Sequence, residues 1–89
     1  MASYTIEFVK SAQKEFERLP LKIRTKITEA LGLLSQHPFS ELLNVRKLKG
    51  AEDVYRFRIG EYRVLYEVRK RRLVILVIKI GHRREVYRS

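Results

Sequence analysis

The chain contains no cysteine, which excludes disulfides and thiolate metal sites. It has only two histidines. His37 and His82 lie far apart in the chain and form no ligand motif, so metal-dependent chemistry and a bound cofactor are not expected. Carboxylate-bound Mg²⁺ is the metal option that this composition leaves open. Long hydrophobic runs are also missing. The longest, residues 73–78, falls far short of the ~20 apolar residues that a membrane-spanning helix needs. The opening "MASYTIEFVK" lacks the apolar core of a secretory signal. A cytoplasmic protein with no membrane partner is therefore expected. Acidic residues are scarce, with ten Asp and Glu against twenty Lys and Arg, a formal net charge of +10 over 89 residues.

That charge is the strongest global property of the chain. A small domain so basic attracts polyanions, most simply nucleic acid. A uniformly solvated basic surface would serve solubility alone, but the charge here is uneven. Residues 44–89 hold fourteen of the twenty basic residues, and their few acids are scattered. A basic second half over a more balanced first half favours a binding surface. The length suggests a single domain spanning residues 1–89. Apolar residues make up 45% of the chain, enough for one small core.

Hydrophobic periodicity divides the chain into elements. In "YTIEF", Tyr4, Ile6 and Phe8 fall on one side of a strand over residues 3–8. Ser11 is the expected N-cap of a first helix, with Ala12, Phe16 and Leu19 at helical spacing. Pro20 ends it and starts a second, since proline suits a first helical turn. Ile23, Ile27, Ala30, Leu31 and Leu34 form the apolar face of that second helix, which should end before Pro38. Lys14, Glu17, Lys22 and Lys26 belong to solvated helix faces. Residues 39–53 read as a loop with a short strand near 45–48. Strands follow at 54–59, 62–69 and 73–80, and the last has the nearly continuous apolar run of a central strand. "RKRR", residues 69–72, makes the turn before it, and the tail is expected to leave the sheet at Gly81. The fold class is α+β: an antiparallel-rich sheet in the order β-α-α-β-β-β, with a helical hairpin on one face.

The stretch "YRFRIGEYRVLYEV", residues 55–68, carries the chemistry. A two-residue turn at Gly60 and Glu61 fits a hairpin with glycine at the first central position. The register then sets Ile59 opposite Tyr62, Arg58 opposite Arg63, Phe57 opposite Val64 and Arg56 opposite Leu65. Tyr55, Phe57, Ile59, Tyr62, Val64 and Tyr66 share the face under the helices, and Arg56, Arg58 and Arg63 share the other. Like charges directly opposite destabilise a sheet by up to ~1 kcal/mol. Three arginines on one face fit an anion site, because the planar guanidinium grips phosphate with two hydrogen bonds. Arg83 or Arg84 follows the last strand closely enough to reach that face. Tyr87 supplies a ring on which an unstacked base can stack, or else anchors the tail to the core. His82 is an acid–base candidate by residue type but has no partner in the sequence.

These residues carry a resemblance. "KLKGAEDVYRFRIGEYRVLYEV" followed by "VIKIGHRREVYRS" resembles the RelE toxins of the RelE/ParE superfamily of bacterial and archaeal toxin–antitoxin modules, over essentially the whole chain. The resemblance implies a metal-independent, ribosome-dependent mRNA interferase (an endoribonuclease), acting in the A site through attack of the 2′-hydroxyl on the adjacent phosphate. It implies catalytic roles for Arg56, Arg58, Arg63, Arg83 and Tyr87, with Arg84 as the alternative to Arg83. It implies the ribosome, mRNA and a cognate antitoxin as partners. The best-known branch carries lysines where this chain has Arg56 and Arg58. Arginine does not give up its proton in proteins, so these two are assigned to phosphate positioning and transition-state stabilisation. The proton acceptor is then Tyr87 or a carboxylate of Glu52 or Asp53. Two other readings remain: a ParE-like inhibitor of DNA gyrase on the same fold, and a non-catalytic module that binds ribosomal RNA.

Overall fold

The computed structural model describes residues 3–50 and 52–82. Arg83, Arg84 and Tyr87, expected at the site, lie outside the described residues. The order is β1 (Thr5–Phe8), α1 (Lys10–Glu17), α2 (Leu21–Gln36), a 3-10 turn (Glu41–Leu43), β2 (Arg46–Lys47), β3 (Val54–Ile59), β4 (Tyr62–Arg69) and β5 (Val74–His82). The strands form one sheet, ordered β1-β5-β4-β3-β2. Strand β1 runs parallel to β5, and the other pairs are antiparallel. This is the expected α+β architecture, with two helices on a mixed five-stranded sheet.

The core forms where the helix stripe meets the inward sheet face. Ala12, Ile27, Ala30, Leu31 and Leu34 pack with Phe57, Val64, Tyr66, Val68, Ile75, Val77 and Ile80 in one buried cluster. Each large apolar side chain buried there contributes about 1.5–3 kcal/mol. Lys14, Glu17, Lys22 and Lys26 are exposed, as the helical spacing requires.

Several boundaries differ from expectation. Ser11 is not the N-cap: α1 begins at Lys10, and Val9 takes the cap position without a side-chain hydrogen bond. The Val9 amide instead donates to Val77 O at 3.0 Å, so sheet pairing carries the chain directly into the helix. Pro20 is the N-cap of α2, one position before its first turn. Its carbonyl accepts from Ile23 and Arg24, a role that needs no amide hydrogen. Leu73 lies in the turn, with φ of +54°. The tail does not leave the sheet at Gly81, because β5 continues to His82 and Gly81 pairs with Arg63. Strand β5 lies between β1 and β4, but Phe8 is the last β1 residue in its register. Beyond that point α1 takes over the edge. Glu15 Oε1 accepts from the Ile80 amide at 2.9 Å, and Glu15 Oε2 meets Lys79 Nζ at 3.2 Å.

Candidate nucleic-acid groove

The β3–β4 hairpin has the register its sequence requires. Ile59 pairs with Tyr62, Arg58 with Arg63, Phe57 with Val64 and Arg56 with Leu65. Gly60 turns the chain with φ of +56°, a conformation glycine adopts without a Cβ penalty. Strand alternation then places Arg56, Arg58 and Arg63 on the face away from the helices. All three line one open groove of about 560 Å³. A volume of that size suits a small organic ligand or a short stretch of nucleic acid.

The three arginines differ in burial. Arg58 is exposed and Arg56 half-buried, whereas Arg63 is only 2% exposed. The sequence placed all three on an uncovered face, and for Arg63 that expectation fails. Its cross-strand neighbour on β5 is Gly81, a position with no side chain to compete for space above the strand. Arg63 thus forms part of the floor, and of the three Arg58 is the most open to solvent. Among the described residues the ion pairs are Arg69–Glu67 and Lys79–Glu15. Neither involves Arg56 or Arg58.

The groove also has a side wall that sequence reasoning missed. Leu42, Leu43 and Asn44 line it, together with Arg46. This wall is held by aromatic residues of the sheet. Tyr66 Oη donates to Pro38 O at 2.7 Å. Phe39 packs edge-on against Tyr55 with ring centroids 4.9 Å apart. Ser40 Oγ accepts from the Leu42 amide at 3.2 Å and caps the 3-10 turn. Asn44 then reverses the chain with φ of +52°, a left-handed conformation that asparagine tolerates. These contacts deliver Arg46 to β2, directly opposite Arg56. The short strand expected near 45–48 forms as β2, but two residues are too few for periodicity to show which strand it pairs with or that Arg46 falls opposite Arg56.

Two other candidates fall outside the groove. His82 pairs with Tyr62 on the opposite face, where their rings meet edge-on at 5.8 Å. Glu52 and Asp53 precede β3 at the end of the hairpin away from Gly60. Asp53 is about 17 Å of extended chain from Arg58, and neither carboxylate is among the groove's lining residues. The carboxylate option for the proton acceptor is therefore withdrawn. No helix among the described residues is long and apolar enough to cross a membrane.

Comparison with known proteins adds an independent line. A family described as the ParE toxin of the type II toxin–antitoxin system, parDE, matches residues 6–87. The mRNA interferase toxin RelE of Escherichia coli is 30% identical over 89 residues, covering 96% of this chain and 90% of that protein. The archaeal RelE–RelB complex from Pyrococcus horikoshii contains a chain that superposes with a TM-score of 0.81 at 32% identity, covering 91% of this chain and 96% of that one. The isolated E. coli RelE toxin superposes with a TM-score of 0.81 at 30% identity, covering 97% and 93%.

Proposed function

The chain belongs to the RelE/ParE family of type II toxin–antitoxin toxins, and from that premise we propose that it is a ribosome-dependent mRNA endonuclease that cuts the codon in the A site and halts translation. The observation that carries this reading is the row of arginines gathered on one sheet face and lining one groove. Guanidinium groups gathered along one groove suit a substrate whose charge lies in its phosphates.

In this reading the ribonucleotide's own 2′-oxygen is the nucleophile. The O2′–P bond forms and the P–O5′ bond breaks, leaving a 2′,3′-cyclic phosphate and a 5′-hydroxyl. The 2′-hydroxyl proton passes to an acceptor, and the departing O5′ gains a proton. Arg56 and Arg58 hold the non-bridging oxygens and stabilise the charge that builds on the pentavalent phosphorus. Fixed donors aimed at developing charge are worth about 10²–10³ in rate each. Arg63, held rigidly in the floor, shares that role. Arg83 stabilises the leaving oxygen. Tyr87 stacks on the substrate base, orients the 2′-hydroxyl and is the proton acceptor retained here. These groups suffice for the reaction without a metal. The cytoplasm is the compartment where such a substrate is found. A cognate antitoxin, acidic or carrying an amphipathic helix, would cover the groove and silence it.

The test is induced expression with mapping of mRNA 5′ ends, beside a gyrase supercoiling assay. Codon-phased cuts that require translation, and that disappear in Arg58→Ala, support this reading. Loss of supercoiling with intact mRNA would replace it with a ParE-like gyrase inhibitor. Ribosome binding without cuts would leave a non-catalytic RNA-binding module.

A further inference from the structure

Four arginines line the groove, and they form two cross-strand pairs. Arg58 faces Arg63 across β3 and β4. Arg46 faces Arg56 across β2 and β3. Directly opposed residues of an antiparallel pair point to the same side, so all four share one face. Arg56 and Arg58 are two residues apart, which sets the pairs about 7 Å from each other along the strand. That separation is on the scale of the distance between successive phosphates of an extended single strand. Arg46 is exposed, and among the described residues neither ion pair includes it. Like-charged neighbours on an edge strand are unfavourable for folding alone.

We infer that the groove binds two consecutive phosphates, and that Arg46 is a binding residue for the phosphate next to the scissile one. The Arg58–Arg63 pair receives the scissile phosphate. Arg46 receives its neighbour and fixes the RNA in register, with Arg56, opposite Arg46 and next to Arg58 on the same face, within reach of both phosphates. Arg46 thus acts on substrate affinity, whereas Arg58 acts on the chemical step. The inference rests on the endonuclease reading and extends it by a second phosphate subsite.

The experiment measures single-turnover cleavage of mRNA on programmed ribosomes by wild type, Arg46→Ala and Arg46→Lys, over a range of protein and salt concentrations. Arg46→Ala is expected to raise the half-saturating concentration about tenfold, the value of one charge-assisted hydrogen bond, with a much smaller change in the saturating rate. The slope of log affinity against log salt should fall by about 0.7, the signature of one lost single-strand phosphate contact. Arg46→Lys should keep the wild-type slope. In wild type, a neutral methylphosphonate beside the scissile position, on one of its two sides, should raise the half-saturating concentration at least as much as the mutation, and its effect should be smaller in Arg46→Ala, where only Arg56 still meets that phosphate. Thermal unfolding of Arg46→Ala should match or exceed wild type, because a repulsive pair has been relieved, and that of Arg46→Lys, which keeps the charge, should match wild type. If wild type cleaves and Arg46→Ala has the same half-saturation and salt slope, the second subsite is overturned and the endonuclease reading stands. If wild type does not cleave, both are overturned.

Discussion

Arg58 and Arg63 are opposed in the hairpin although the pairing is unfavourable for folding, and this conflict can be measured. Replacing Arg58 with glutamate creates an opposite-charge pair across the strands, with an expected gain of up to ~1 kcal/mol. The same change puts a carboxylate where phosphate should bind, so cleavage should be abolished. Denaturant unfolding and a cleavage assay on Arg58→Glu check both halves together. A variant that is more stable and inactive supports the account, whereas a variant with retained cleavage removes Arg58 from the site. Tyr66 makes a second prediction at this scale. Burial, and then the neighbouring Tyr55, push its phenol well above the ordinary tyrosine range. The unfolded chain therefore loses this proton first, near pH 10. Stability from the neutral phenol is complete below that pH and declines as pH rises further, by up to about 1.4 kcal/mol per pH unit. Tyr66→Phe loses the hydrogen bond to Pro38, about 1 kcal/mol, at neutral pH. Denaturant titrations from pH 8 to 11.5 should show the gap between the two proteins closing above pH 10. A constant gap would contradict the assignment.

Elements were legible in the sequence in proportion to their length and periodicity. The hairpin strands β3 and β4 are where alternation placed them, since each has at least six residues and a glycine turn between them. Helix α2 follows equally well from its apolar spacing and from Pro38 beyond it. Start signals were weaker. Ser11 looks like a cap, but pairing of Val9 with Val77 decides where α1 begins, and that contact spans 68 residues of sequence. The role of Glu15 was illegible for the same reason. On a helix it reads as a solvated acid, yet it closes the part of the β5 edge that β1 does not reach. Glu15→Ala should destabilise the fold by about 1–3 kcal/mol, the cost of an unsatisfied amide. Exchange of the Ile80 amide hydrogen should accelerate more than that of its neighbours. Glu15→Gln keeps an acceptor oxygen and should lose less. Equal exchange at Ile80 in wild type and Glu15→Ala would show that the edge is closed by something else.

At the scale of the whole molecule, charge and topology converge on one face. The excess of arginine and lysine was visible in composition, and the hairpin register followed from alternation. What stayed hidden was depth and the side wall. Periodicity assigns a face but not what covers it, so the burial of Arg63 could not be foreseen. Arg46 reaches the groove only because Tyr66 and Tyr55 hold residues 38–39 against the sheet and Asn44 turns the chain into β2. The resulting division of labour distinguishes the arginines by position. Arg58→Ala is a change at an exposed strand position, with an expected stability effect within about 0.5 kcal/mol. Arg63→Ala empties a buried site and should cost about 2–3 kcal/mol besides its effect on cleavage. The most direct test of the central claim is single-turnover cleavage by purified wild-type and Arg58→Ala protein on ribosomes stalled with a defined codon in the A site, with analysis of the product ends. The account predicts cuts within that codon bearing a 2′,3′-cyclic phosphate, formed about 10²–10³ times more slowly by a fully folded Arg58→Ala. Intact mRNA with the wild type, or equal rates for the two proteins, would contradict it.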